Sequence, residues 1–204
     1  MKRKGLLIVV SGPSGAGKGT ICKDFLELNK DVLISISTTT RKPREGEQEG
    51  ISYHFTTKDH FESLVRENAL LEYVHVFDNY YGTPKDWVLS RLEEGKDVLL
   101  EIEIVGAMKV KEKYSDAVLV FVLPPSIKEL KNRIVNRGTE NLEQIEKRME
   151  RALEEIRTIE KYDYFILNDN LAKAVNDLEA IVAAEKSKVS RYSMEIVKSY
   201  EEEK

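Results

Sequence analysis

Five short apolar runs are spaced along the chain, and amphipathic stretches of helical length separate most of them. The run at residues 6–10 is continuous, as expected for a strand that is covered on both faces of a parallel sheet. The others lie at residues 32–36, 97–103, 117–123 and 164–167. Buried strands that alternate with helices predict right-handed βαβ units and an α/β fold of three layers around a central parallel sheet.

Start and stop signals place the helices between these runs. Thr57 is expected to cap one helix at its N-terminus, and Ser126 another. Glu129 follows Ser126 by three residues, a pair that predicts a capping box. The expected helices occupy residues 18–28, a stretch beginning after residue 57, residues 84–95, 126–137 and 142–162, and one or two segments after residue 170.

The stretch from residue 37 to residue 83 interrupts the alternation. It is polar and rich in aromatic residues, and its strand-like segments at residues 53–55 and 70–77 are isolated from the other runs. We therefore predict a mixed subdomain inserted into a single α/β domain. A chain of 204 residues is long enough to bury the core of such a domain.

The overall composition argues against several classes of protein. A net charge of −4 disfavours a nucleic-acid-binding protein, and no apolar run approaches the length of a membrane span. The apolar stretch at residues 6–11 is too short for a secretory signal, so we expect a cytoplasmic protein. The single Cys22 excludes an intramolecular disulfide and is expected to be packed in a helix. His54, His60 and His75 lack metal-ligand spacing and are expected to be structural.

A glycine-rich loop lies between the first apolar run and the first helix. Its pattern G-x-x-x-x-G-K, with the following glycine, comprises Gly12, Pro13, Ser14, Gly15, Ala16, Gly17, Lys18 and Gly19. Glycines let consecutive backbone N–H groups point inward and bind phosphate oxygens, and the helix start adds the positive end of its dipole. Lys18 supplies a cation for the β- and γ-phosphates of a nucleoside triphosphate. Gly19 stands where Ser or Thr usually offers a hydroxyl to Mg²⁺, and Thr20 follows one place later.

The inserted stretch carries side chains that suit a phosphate acceptor. Arg41 and Arg44, with a proline between them, suit a forked grip on a phosphate monoester, and Tyr53 can donate a further hydrogen bond. Glu72 can accept two hydrogen bonds side by side. Guanine offers a matching pair of donors, its ring N–H and its amino group, whereas adenine does not. The residues therefore favour a guanine nucleotide.

The order of these residues resembles the guanylate kinase family. The pattern S-x-T-T-R-x-x-R-x-G-E-x-x-G-x-x-Y begins at Ser37, Glu72 follows, and Y-Y-G-T occupies residues 80–83. The likeness extends over residues 5–183. It implies that the phosphate of GMP is held by Arg41, Arg44, Tyr53 and Tyr81, and that the guanine is read by Ser37, Glu72 and Thr83. It implies a P-loop nucleotide-binding fold with a core at residues 1–36, 84–137 and 149–204, a GMP-binding insert at residues 37–83 and a helical lid at residues 138–148.

Two carboxylates at a strand end also take their roles from the resemblance. Glu101 and Glu103 point to the same side of the strand end because the side-chain period of a strand is two. One is expected to hold the water shell of Mg²⁺ and the other to contact the guanine or a bridging water. Because position 19 lacks a hydroxyl, no direct protein ligand to the metal is assigned, and Thr20 is the nearest alternative.

The segment around the lid supplies the remaining donor-site residues. The resemblance assigns three arginines to the donor phosphates or the transferred group: Arg133, Arg137 and Arg148. Arg137 is also expected to stack on the adenine, and Asn168 lies in a loop expected beside that base. Arg151 and Arg157 are interpreted as helix surface charges with partners four residues away.

These residues predict a phosphotransferase that moves the γ-phosphoryl group of ATP to GMP, and to dGMP, with Mg²⁺. The attacking phosphate oxygen is already anionic, so no strong base is needed. Catalysis is then positioning and charge neutralisation by Lys18, Arg41 and the arginines around the lid. Two alternatives stay open: a non-catalytic interaction module of the same fold, and a kinase for another phosphate monoester such as dTMP, AMP or a ribose bisphosphate. The oligomeric state is not predicted.

Overall fold

The computed structural model describes residues 4–76, 78–135, 142–191 and 193–202, without the side chains of residues 142–144 and 193–195. The strands in this part of the chain are β1 Leu7–Ser11, β2 Val32–Ile34, β3 Thr38–Thr39, β4 His54–Phe55, β5 Leu70–Val76, β6 Asn79–Pro84, β7 Asp97–Glu101, β8 Val118–Leu123 and β9 Tyr164–Leu167. The α-helices are α1 Lys18–Leu28, α2 Lys58–Arg66, α3 Lys85–Glu93, α4 Ile104–Lys113, α5 Ile127–Val135, α6 Leu142–Ile156, α7 Leu171–Lys186 and α8 Ser193–Glu201.

The predicted apolar runs form one parallel sheet with the strand order β2-β7-β1-β8-β9. Strand β1 lies in the centre, and all five of its residues are buried. Its side chains alternate between the two faces, as a period of two requires. Ile8 and Val10 pack with α1 and α7, whereas Leu7 and Val9 pack with α3 and α4. The predicted α/β fold of three layers is therefore confirmed.

The carboxyl ends of β1 and its two neighbours meet at one edge of this sheet. The strand order changes direction at β1, because β7 and β8 flank it on opposite sides. Ligands of open α/β sheets bind outside the carboxyl ends of the strands at such a switch point. The register pairs Val10 with Glu101. The glycine loop after β1 and the carboxylates after β7 are thereby placed side by side.

A second sheet contains the strands of the polar stretch, in the order β4-β3-β6-β5. Strands β3 and β4 run parallel, whereas β6 is antiparallel to both of its neighbours. Phe61, which is fully buried, stacks on Tyr80 and so attaches α2 to this sheet. The structure thus contains the mixed sheet expected of an insert. The boundaries of core, insert and lid stay predictions.

Two local expectations need correction. The helix expected over residues 142–162 ends at Ile156, and a short 3₁₀ turn at Ile159–Lys161 follows. The Thr158 hydroxyl donates to the Glu155 carbonyl at 2.7 Å, which satisfies an acceptor at the helix end. In the expected capping box, the Glu129 N–H donates to the Ser126 hydroxyl at 3.0 Å, but the Glu129 carboxylate accepts from Arg133 instead.

Other boundaries lie close to their expected positions. Thr57 caps α2 and accepts from the N–H of His60 at 3.3 Å, as predicted. Strand β2 ends at Ile34, two residues early, although the N–H of Ser35 still donates to Leu99. None of the helices in the described ranges is long and apolar enough to cross a membrane.

Candidate active site

The glycine loop joins the buried strand β1 to helix α1. Gly17 caps that helix with φ 95°, in the left-handed region that glycine adopts without strain. A Cβ at this position would lie 2.3 Å from the side-chain nitrogen of Asn168, so any other residue at position 17 would displace the Asn168 side chain. The loop conformation and its packing therefore both require glycine here.

Asn168 and Arg133 hold the loop from behind. The Asn168 side-chain N–H donates to the Ala16 carbonyl at 2.8 Å, and Arg133 Nη1 donates to the same oxygen at 3.3 Å. Arg133 Nη2 reaches the carbonyl of Asn168 at 3.1 Å. The arrangement positions the loop for phosphate binding. Both residues thus contact the loop backbone. The sequence had predicted that Arg133 would lie at the donor phosphates and Asn168 beside the adenine.

Two cations lie on the loop itself. Lys18 donates from Nζ to the carbonyls of Gly12 at 2.6 Å and Pro13 at 3.2 Å. Arg148, which α6 supplies, donates to the hydroxyl of Ser14. Both side chains are thus brought to the loop, as expected for groups that act on a triphosphate. Arg137 lies outside the described residues.

The Glu101 carboxylate occupies the space next to Gly19. A Cβ on residue 19 would be 3.3 Å from one oxygen of Glu101 and 3.5 Å from the other. Loss of hydration raises the pKa of the Glu101 carboxyl. The charge of Lys18 opposes this shift, and the charge of Glu103 adds to it. A carboxylate oxygen of Glu101 therefore lies beside Gly19, the position that lacks the usual Ser or Thr hydroxyl. Thr20 is exposed on the same helix turn.

Glu103 is paired with an arginine that the sequence had not assigned to the site. Arg151 Nη2 donates to Glu103 Oε2 at 3.4 Å, and Arg151 Nε donates to Glu155 at 2.8 Å. Only the second contact is the expected pair four residues apart. Burial raises the pKa of Glu155, while its hydrogen bond from Arg151 opposes that shift. Arg157, by contrast, is exposed as expected.

Glu72 and Thr83, which were predicted to read the guanine, contact each other in the buried part of the insert. Both are buried, and the Thr83 hydroxyl donates to Glu72 Oε1 at 2.7 Å. Glu72 Oε2 has no hydrogen-bond partner in the described part of the chain, and it lies 2.6 Å from where a Cβ on Gly106 would be. Burial raises the pKa of the Glu72 carboxyl, and the Thr83 hydroxyl opposes the shift. A buried acceptor without a donor is costly, which makes this oxygen a candidate contact for a ligand.

Comparison with known proteins identifies the family. The guanylate kinase family model matches residues 4–185. The chain belongs to the guanylate kinase family. It is 53% identical over 201 residues to the guanylate kinase of Clostridioides difficile strain 630, covering 98% of each chain. It is 54% identical over 191 residues to that of Caldanaerobacter subterraneus subsp. tengcongensis, covering 94% of this chain and 93% of the relative.

A solved structure agrees with this assignment. The crystal structure of guanylate kinase from Anaplasma phagocytophilum matches with a TM-score of 0.79 and 31% identity, over 94% of this chain and 91% of that one. The fold class, the resemblance and the expectation of an enzyme are therefore confirmed.

Arg41 is bound by Glu47, a residue with no role predicted from the sequence. Glu47 binds both terminal nitrogens of Arg41, at 2.8 and 3.0 Å, and accepts from the backbone N–H of Arg44 at 2.8 Å. The hydrogen bond from Arg41 holds the pKa of Glu47 below its usual range. Glu47 thus ties both arginines together. The sequence signal that could have identified Glu47 is its position in the motif, after the two arginines and before Tyr53.

The other expected phosphate ligands surround Arg41. Its guanidinium lies 5.3 Å from the centre of the Tyr53 ring, and Tyr53 meets Tyr81 edge to face with ring centres 6.0 Å apart. Arg44 is exposed at the rim. Ser37 is half-buried, and its carbonyl accepts from the N–H of His54 at 2.9 Å. The structure therefore brings Arg41, Tyr53 and Tyr81 into one cluster.

The donor and acceptor clusters face each other. Burial raises the pKa of Tyr53, and the charge of Glu101 adds to that shift. Glu72 approaches Gly106 in helix α4, which begins directly after Glu103. This approach of Glu72 places the insert at the same edge of the central sheet as Glu103. This arrangement suits direct transfer between two bound nucleotides.

Proposed function

We propose that this enzyme transfers the γ-phosphoryl group of ATP to GMP and dGMP, which yields ADP and the corresponding diphosphate. The observation that carries the proposal is the buried Glu72 carboxylate with one oxygen bonded to Thr83 and the other unpaired. The ring N–H and amino group of guanine match that carboxylate, and Ser37, at the start of the insert, is proposed to add a hydroxyl. Guanine binding removes the cost of the unpaired acceptor.

The donor triphosphate is proposed to lie along the glycine loop. The N–H groups of the loop and the start of α1 bind its oxygens. Lys18 exchanges its contacts with the Gly12 and Pro13 carbonyls for phosphate oxygens, and Arg148 approaches from α6. Arg137, from outside the described residues, is proposed to join them. Arg133 and Asn168 are proposed to act on the donor through the loop carbonyl that they both bind.

The acceptor phosphate is proposed to bind at Arg41, Arg44, Tyr53 and Tyr81. Charged donors fix its position and leave one anionic oxygen facing the donor. The phosphoryl group passes from the leaving ADP oxygen to that oxygen, and no proton has to be removed. Charge that spreads over the transferred group is neutralised by Lys18 and the arginines.

Mg²⁺ is proposed to accompany the triphosphate. The residues present fit it, because the Glu101 carboxylate lies beside Gly19 and offers the oxygen chemistry that Mg²⁺ prefers. Glu101, Glu103 and Thr20 would hold the ion through its water shell. When bound, it would supply positive charge that offsets the charge of the triphosphate. The proposed location is the cytoplasm.

A panel of acceptors tests the proposed reaction. ADP release in a coupled assay should depend on GMP and dGMP, with a kcat/KM at least a hundredfold above that for AMP or dTMP, because a site built around a paired donor set rejects a base that lacks it by large factors. Equal rates with AMP would contradict the guanine assignment. Absence of any acceptor-dependent ADP release would instead support a non-catalytic module.

Arg44 gives a test of the acceptor phosphate site. Arg44→Ala is expected to lower kcat/KM for GMP by about tenfold to a hundredfold, the range for losing a hydrogen bond to a charged group. Arg44 is exposed, so the melting temperature should stay unchanged. Lys42→Ala, which removes an exposed charge two residues away, is the control and should retain full activity. Wild-type kinetics in Arg44→Ala would remove this residue from the site.

A further inference from the structure

Helix α6 touches the donor site at two points on one face. Arg148 donates to the hydroxyl of Ser14 in the glycine loop. Arg151, three residues later, donates to the carboxylate of Glu103 just after β7. Residues three apart on a helix are neighbours on its surface. The helix therefore presents one arginine to the phosphate loop and the next to the carboxylates beside it.

Arg151 is held in this position from its own helix. Its Nε donates to Glu155 at 2.8 Å, and only 14% of the Glu155 side chain is exposed. The rigid guanidinium fork then directs Nη2 toward Glu103. An ordinary surface pair between positions four apart would need neither the burial of Glu155 nor the contact with another element. The arrangement joins α6 to the end of strand β7.

The local charge balance gives this contact a consequence for a triphosphate. The charge of Glu103 raises the pKa of both Glu101 and Glu155, and the charge of Lys18 lowers the pKa of both. Three carboxylates around the loop would repel an anionic ligand. Arg151 binds two of the three. It therefore keeps Glu103 and Glu155 compensated while Lys18 stays available for phosphate.

We propose that Arg151 is a positioning residue of the donor site: through Glu103 it fixes α6 against the end of β7 and so holds Arg148 over the glycine loop. The inference rests on the proposed function, because it assigns Arg148 and Glu103 to the donor side of that reaction. It adds a residue that the motif does not contain. Arg151 need not contact the nucleotide for this role.

Steady-state kinetics with each substrate varied in turn tests the proposal. Arg151→Ala is expected to lower kcat/KM for ATP by about tenfold, within the range of coupling between contacting residues, and to leave KM for GMP within about twofold. Arg151→Lys keeps the charge but not the fork, and should lie between the variant and wild type. If Arg151→Ala does not fold, the lysine variant carries the same test.

A double-mutant cycle separates action through Glu103 from a general loss of structure. In a Glu103→Ala background, Arg151→Ala should cause no further loss in kcat/KM for ATP, because the contact is already broken. Additive losses would overturn the proposal. So would equal increases in KM for both substrates that track a fall in melting temperature, which is the pattern of a merely structural residue.

Arg157→Ala serves as the matched control, since Arg157 is an exposed arginine just beyond the same helix. It should keep wild-type kinetics, and a loss equal to that of Arg151→Ala would contradict the assignment. Failure of the proposed function would appear differently. The wild-type protein itself would then release no ADP with GMP, whereas failure of this inference leaves wild type and Arg151→Ala equally active.

Discussion

Replacing Lys18 by alanine is expected to lower kcat by at least about a hundredfold, the usual cost of removing one preorganised donor that stabilises charge in a transition state. Lys18 is the cation that the glycine loop itself supplies, and its Nζ lies on the loop carbonyls of Gly12 and Pro13. These two hydrogen bonds are only partly buried, so water can replace them in the variant. Turnover should therefore fall much more than stability.

Lys23→Ala provides the matched control for this experiment. Lys23 lies on the same helix, its side chain is 74% exposed, and its one ion pair is at 4.0 Å. Both variants should melt within a few degrees of wild type, while only Lys18→Ala loses turnover in the ADP-release assay. A Lys18→Ala enzyme with more than about half the wild-type kcat would contradict the assignment of Lys18 to the transferred phosphate.

The central sheet was predictable because its signal is local. A strand that is buried on both faces must be apolar at nearly every position, so β1 and β8 are visible as short runs. The end of α6 was not visible. Charged residues continue past Ile156 in the sequence, and only the contact of the Thr158 hydroxyl with the Glu155 carbonyl identifies the end of the helix.

The site shows the same division between local and distant information. Spacing within one loop predicted that Gly12 to Gly19 form a phosphate-binding turn. Spacing could not show that Asn168 reaches Ala16 across 152 positions, or that Arg151 reaches Glu103 across 48. These contacts depend on how the strands are ordered in the sheet. Spacing alone therefore does not reveal the contacts of residues whose partners lie far along the chain.

Glu47 illustrates a different cause. Its acid side chain is visible within the motif, but an acid among arginines is easily interpreted as a solvated charge. The structure gives it a bidentate bond to Arg41 and a bond to the N–H of Arg44. A loop that gathers two arginines for a phosphate needs a carboxylate to fix them, and this requirement follows from electrostatics rather than from spacing.

Glu72→Gln should abolish most of the preference for guanine and yet leave a protein that is at least as stable as wild type. Glutamine presents one acceptor and one donor, so it cannot accept both hydrogen bonds from guanine. Because the variant site keeps a buried polar group that does not match guanine, kcat/KM for GMP should fall about a hundredfold or more. KM for ATP should stay near its wild-type value, because Glu72 lies on the acceptor side.

Stability follows from the raised pKa of Glu72. A carboxyl whose pKa is higher in the folded than in the unfolded protein binds its proton more tightly when folded, so ionisation at higher pH costs stability. Glutamine has no such cost and still accepts from Thr83. The melting temperature of Glu72→Gln relative to wild type should therefore rise as pH increases above about 4.3, the ordinary value for an unfolded glutamate. Glu67→Gln, at an exposed position, should show neither effect. A Glu72→Gln enzyme that keeps its preference for GMP over AMP would show that guanine is read elsewhere.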